Sequence, residues 1–172
     1  MKLTGAVIKG RGVAKERLKQ DEEISFKISS EIFPGSLNLV MSRPLVLLTD
    51  QSIKTTRRFL VKGAVQGRTV WLVRWNSCPL HVVEVISEHN LRRCLGLEEG
   101  QDISVEVTGD PFLRPRAISL IVWTIFWNGR GQLYYRSDWY VKFVRWFFFA
   151  PLAEQAQKIR EPFIVRLIRR FL

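Results

Sequence analysis

The stretch Phe33-Pro34-Gly35-Ser36-Leu37-Asn38-Leu39 carries a hydroxyl and a carboxamide two residues apart, just after a Pro-Gly turn. If the residues beyond the turn form a strand, positions i and i+2 share a face. Ser36 and Asn38 then present two hard oxygen ligands to one cation. Mg²⁺ suits that chemistry, because it takes one or two protein oxygens and completes its shell with waters and substrate phosphates. Near the N-terminus, Gly5-Ala6-Val7-Ile8-Lys9-Gly10-Arg11-Gly12-Val13-Ala14-Lys15 reads as a short strand running into a small-residue loop. Gly10 and Gly12 allow backbone N–H groups to approach a ligand closely and to form an anion nest. Lys9, Arg11, Lys15 and Arg17 add positive charge. The spacing matches neither the dinucleotide fingerprint nor Walker A. Glu84 is a third candidate, a carboxylate inside the apolar run Val82 to Ile86, where an unpaired buried charge would be costly. Alternation lets it point outward or face a polar ligand. Taken singly, each segment also reads as an ordinary turn and strand.

The elements that must position these residues are mostly strands. Candidates are Leu3 to Lys9, Ser25 to Ser29, Ser36 to Met41, Leu45 to Thr49, Arg58 to Gln66, Arg68 to Arg74, Val82 to Ser87 and Ile103 to Thr108. Val65-Gln66-Gly67-Arg68 has the form of a hairpin turn. Asn90 to Leu95 reads as a short helix closed by Gly96. Many short strands separated by turn signals predict a small β-barrel.

In order along the chain, these segments resemble the archaeal, CTP-dependent type of riboflavin kinase. That family has a loop G-x-V-x-S-G-x-G-x-G, a G-T-L-N metal turn, an E-I-I-A strand, an L-R helix and an L-x-D-G-D turn. The matching residues are Gly5, Val7, Gly10 and Gly12; Gly35, Ser36, Leu37 and Asn38; Glu84, Val85 and Ile86; and Leu91, Arg92, Leu97 and Gly100. The match covers residues 3 to 107. Ala14 stands where the third loop glycine would be, Ser36 replaces Thr, and Asn76 and Cys78 fall at the positions of a Thr and a His. Gln101 intervenes before the second acid, Asp102.

The resemblance implies a six-stranded, Greek-key-like barrel of the cradle-loop type. It also implies phosphoryl transfer from CTP to riboflavin, giving FMN with Mg²⁺ as cofactor. It places the nucleotide at Gly10, Arg11, Gly12, Val13, Ala14 and Lys15 and at Asn90, Leu91, Arg92 and Arg93. The metal falls at Ser36 and Asn38, and the flavin at Asn76 and Glu84. Glu84 is also the candidate catalytic group, as base or as orienter of the attacking hydroxyl. No motif reads the base, so CTP and ATP stay open as donors. Ala14 and Cys78 suit an alternative, a barrel that binds nucleotide or flavin without turnover.

Charge and aromatics divide the chain at Thr108-Gly109-Asp110-Pro111. The 172 residues carry a net charge of +11 and are 47% apolar, enough for a core. Residues 110–172 hold 11 of the 27 basic residues but only 4 of the 16 acidic ones, with 15 of the 20 aromatics. The expected organisation is therefore a barrel domain over 1–109 and a helical, basic, aromatic extension over 110–172, with Gly129-Arg130-Gly131 as a break. In the extension, Ala117 to Trp127 is about half of a membrane span. Pro162 to Leu172 sets Phe163, Ile164, Leu167, Ile168 and Phe171 on one helical face and Arg166, Arg169 and Arg170 on the other. Packing on the barrel, self-association, an anionic membrane surface and single-stranded nucleic acid all suit such a segment, nucleic acid least well. Two cysteines, Cys78 and Cys94, give no disulfide framework and are expected as buried thiols in a reducing compartment. The N-terminus lacks the apolar core of a signal peptide, so the expected location is cytoplasmic, with peripheral membrane attachment as a variant.

Overall fold

The computed structural model describes residues 1–10, Ile24, Ile28, 31–47, 52–55, 58–75, 78–113 and 115–148. The elements are β1 (Lys2–Ile8), β2 (Leu37–Met41), β3 (Val46–Leu47), β4 (Ile53–Lys54), β5 (Arg58–Val65), β6 (Arg68–Trp75), β7 (Val82–Ile86), α1 (Leu91–Cys94), β8 (Asp102–Val107), β9 (Phe112–Leu113), α2 (Ala117–Phe126), α3 (Leu133–Arg136) and α4 (Asp138–Phe148). The main sheet runs β4-β5-β6-β7-β2-β1-β8, and a β5–β8 pairing closes it. Every pairing is antiparallel. The result is a closed six-stranded β-barrel with β4 outside it, followed by a helical region.

Alternation decides which side chains fill the barrel. Leu37, Leu39 and Met41 of β2 and Val83 and Val85 of β7 point inward, with Val70 and Leu72 of β6. The intervening residues Asn38, Val40, Val82, Glu84 and Ile86 therefore line the outer wall. The β5–β6 hairpin turns through Gln66 (φ 47°) and Gly67 (φ 76°), the two positive φ values of a type I′ turn.

Closure depends on Gly63. It pairs with Val70 on one side and with Val107 on the other, so β5 serves two partners at once. A Cβ there would lie 2.6 Å from the Glu106 carbonyl oxygen and 2.9 Å from Leu72 Cδ1. Arg74, also directed inward, is buried at the barrel end. It donates to the carbonyls of Leu45 (2.7 Å), Pro79 (2.8 Å) and Leu80 (3.3 Å), converting three loop carbonyls into a stopper.

Two covers lie on the outer wall. Leu60, Val73 and Ile86 pack with Ile24 and Ile28. Of the strand expected over 25–29 only Ile28 is described, and it is helical, as is Ile24. The spacing of four puts both on one helical face, a period that the alternating polar residues disguised. The second cover is the helical region: Trp127, Tyr134, Val141 and Val144 pack on Cys78 and Val82. The Tyr140 hydroxyl donates to the Phe126 carbonyl and ties α4 to the end of α2. Gly131 seats this region, because a Cβ there would meet Val40 Cγ1 at 2.5 Å and His81 Cδ2 at 2.9 Å. The basic segment from residue 149 onward lies outside the described residues.

His81 is enclosed between barrel and helices, 4.7 Å from Trp127 ring to ring. Burial pushes its pKa down to about 3 from 6.5; contact with the Gly131 backbone offsets this in part, and Arg74 lowers it further. A folded-state value below the unfolded one means that the unfolded chain takes the proton first. The stability contributed by neutral His81 is therefore complete above pH 6.5 and is lost as pH falls toward 3, at about 1.4 kcal/mol per pH unit. Denaturant midpoints measured from pH 7 to pH 4 should fall steeply, and His81→Gln should flatten that slope; an equal slope in both proteins would show that other groups dominate. Gly63→Ala should cost about 1–3 kcal/mol by equilibrium unfolding, and an unchanged midpoint would mean that the β5–β8 seam is not needed.

Candidate functional site

One row of the outer wall crosses four strands and has a buried polar member. Across β1, β2, β7 and β6 the register reads Ile8, Asn38, Glu84, Val73. Directly opposed residues on antiparallel strands face the same side with Cβ atoms about 5 Å apart, so Asn38 and Glu84 are neighbours between the two covers. Asn38 is buried. Ser36 Oγ donates to Asn38 Oδ1 at 3.4 Å. The side of the carboxamide that bears Nδ2 lies against Gly10, where a Cβ would stand only 2.0 Å away. The missing side chain at Gly10 is thus what admits the Asn38 amide beneath the start of the loop.

This arrangement can be tested against a cation. Two oxygens bound cis to Mg²⁺ at about 2.1 Å stand about 3 Å apart. The Ser36 and Asn38 oxygens need only a small closure to meet that distance. Among the described residues there is no group of three or more His, Cys, Asp or Glu able to hold a metal ion. A cation held by Ser36 and Asn38 would have to bring most of its own shell.

Beside Ser36 opens a cleft of about 220 Å³ whose lining includes Phe33, Leu37, His89, Asn90 and Arg92. Typical small-molecule sites measure about 300–1,000 Å³, so the cleft has room for only part of such a ligand. The Phe33 N–H donates to the Ser87 carbonyl (2.9 Å), which fixes that aromatic ring to the end of β7. Ser87 Oγ in turn donates to the His89 carbonyl (2.7 Å) and sets the bend leading to α1.

The structure sorts the expected nucleotide residues. Asn90 caps α1, its Oδ1 accepting from the Arg93 N–H at 3.1 Å. Leu91 is a core residue that also reaches the cleft wall. Arg92 is half-buried along the cleft, and Arg93 is exposed. Gly10 meets Asn38, whereas Arg11, Gly12, Val13, Ala14 and Lys15 lie outside the described residues, as does Asn76. Cys78 is buried as expected, its thiol donating to the Val82 carbonyl (3.2 Å). Its pKa is pushed up to about 12, mainly by burial. Cys94 is exposed, contrary to the expectation of two buried thiols. The four-residue helix turns only Leu91 fully inward and leaves its last residue outside.

Sequence reasoning gave no role to His89, nor to Arg136. From α3, Arg136 forms a 2.7 Å ion pair with Glu99. Arg136 holds the Glu99 carboxyl below its usual range, with smaller contributions from the Lys9 backbone N–H and from Arg92. Glu99 thus ties the helical region to the turn that leads into β8. No local pattern marks this pair, whose partners are 37 residues apart.

No family model matches the chain, and no curated protein matches it significantly.

The packing of Gly10 on Asn38 is directly testable. Gly10→Ala should displace the carboxamide while leaving the barrel folded. In the amide region of an NMR spectrum, the Asn38 side-chain resonances should shift strongly and those of the distant β5–β6 hairpin should not. An unmoved Asn38 signal would show that the two residues are not in contact.

Proposed function

We propose that the chain is a nucleotide-dependent phosphotransferase of the riboflavin kinase type, transferring the γ-phosphoryl group of CTP to the ribityl 5′-hydroxyl of riboflavin. The observation that carries this reading is the convergence of Ser36 Oγ and Asn38 Oδ1, 3.4 Å apart, under Gly10 and next to Glu84 on the strand pairing. Phosphoryl transfer asks a protein for positioning and charge stabilisation more than for covalent chemistry. A hydroxyl and an amide oxygen beside a glycine loop, with a carboxylate one strand away, meet that demand.

Ser36 and Asn38 would hold Mg²⁺, which when bound neutralises charge on the phosphate oxygens. Gly10 and the loop beyond it would present backbone N–H groups to the triphosphate, and Arg92 would face the nucleotide from the cleft wall. Glu84 would accept a hydrogen bond from the 5′-hydroxyl and fix its line of attack. As the new oxygen–phosphorus bond forms, the bond from the γ-phosphorus to the β–γ bridging oxygen breaks and CDP leaves. The hydroxyl proton passes to the Glu84 carboxylate. Phe33 at the cleft offers an aromatic face to a planar ring.

Riboflavin incubated with Mg²⁺ and CTP, and in parallel with ATP, should yield FMN separable by chromatography. Ser36→Ala and Asn38→Ala should each lower kcat/KM by about 10–100-fold and raise the Mg²⁺ requirement. Glu84→Gln should lower kcat by about 10²–10⁴-fold. Calorimetric binding of riboflavin and nucleotide with no FMN formed would replace turnover by a binding role. Absence of both binding and product would remove the reading altogether.

A further inference from the structure

The helical region covers the barrel with one side and, among the described residues, exposes apolar side chains on the other. Helix α2 turns Val122, Trp123 and Phe126 toward the aromatic cluster. Its other side holds Leu120, Ile121 and Ile125, which are 39%, 57% and 56% exposed. On α4, Trp139 is 72% exposed. It stacks nearly parallel on Phe143, with ring centres 5.6 Å apart. Phe143 also contacts Phe126, which ties the Trp139 ring stack of α4 to the inner side of α2. Large apolar residues exposed on two helices of one packed unit are candidates for an interaction surface.

The charge of this segment is one-sided. Residues 115–148 contain five basic residues and a single acidic one, Asp138. Arg116, Arg130 and Lys142 are exposed. We propose that this face docks on an anionic lipid bilayer, with Ile121, Ile125 and Trp139 entering the boundary between headgroups and acyl chains, and Arg116, Arg130 and Lys142 meeting anionic headgroups. Exposed aliphatic residues with a Trp and a cationic rim are the composition that such a boundary selects.

The same features count against other occupants. A two-fold contact with a second copy would bring one basic rim against another. Single-stranded nucleic acid is gripped by aromatic stacking platforms, whereas most of this face is aliphatic and one side of the Trp139 ring is taken by Phe143. Spanning is not involved: α2 has 10 residues, about 15 Å of helix, and no helix among the described residues is long and apolar enough to cross a membrane.

The test is flotation of the full chain with vesicles of phosphatidylcholine alone and of phosphatidylcholine with about a quarter phosphatidylserine. The protein should float with the anionic vesicles, weakly with the neutral ones, and less as salt rises. Ile121→Asp combined with Ile125→Asp should lower the partition coefficient at least tenfold, and Arg116→Glu with Lys142→Glu should do so for anionic vesicles. Lys62→Glu, a single charge reversal on barrel strand β5, should stay within about twofold. All five substituted positions are exposed, and circular dichroism verifies the fold of each variant. Failure of the parent protein to float, or flotation unaffected by the aspartate pair, overturns the proposal. So does a dimer, or retention of a single-stranded oligonucleotide, that the aspartate pair abolishes in a protein that never floats.

Discussion

A row of antiparallel strands becomes a barrel only when one strand can be hydrogen-bonded along both edges within the same few residues. Here that strand is β5, and the place is Gly63, squeezed between the Glu106 carbonyl and the Leu72 side chain. Closure fixes which side of every strand is inside. Because side chains alternate with a period of two, slipping β2 by one residue would exchange Asn38 for Leu39, and slipping β7 would exchange Glu84 for Val85. The chemistry of the outer wall thus rests on a seam with two paired positions.

That wall is unusual in being covered. Val82 and Ile86 are outward residues, yet both are buried, because a helical segment at Ile24 and Ile28 lies over one part and the aromatic helices over another. Between the covers, the only polar pair in the row is Asn38 and Glu84 among the described residues. A buried carboxamide requires partners, and Asn38 finds one in Ser36. The wall therefore brings side-chain oxygens together in a place partly shielded from bulk water, where charge interactions are stronger than at an open surface.

Most of the barrel was legible in the sequence, because strand alternation and turn chemistry are local. The boundaries of β5 to β8 fall within a residue or so of those expected, and Gln66-Gly67 forms the turn its composition predicts. The Ser36–Asn38 pair was legible for the same reason, as an i, i+2 spacing at the entry to a strand. What was hidden is what depends on tertiary contact. Ile24 and Ile28 satisfy both a two-residue and a four-residue period, and only the hydrophobic wall beneath them favours the helical one. Arg74 sits in an apolar strand with no sequence cue that three loop carbonyls will converge on it. Leu91 matched a nucleotide-contacting position by resemblance, but the core claims its side chain. The pairing of Arg136 with Glu99 joins elements that no short pattern connects.

The two cysteines ended in opposite environments, and this gives the molecule a built-in reporter site. Thiolates, not thiols, attack maleimides and similar reagents, and Cys78 is sealed beneath the helices with its proton held up to about 12. Cys94 is open to solvent at the end of α1, two residues from Arg92 on the cleft wall. A dye attached under native conditions would therefore go to a single position. Its emission would follow occupancy of the cleft without any engineered residue.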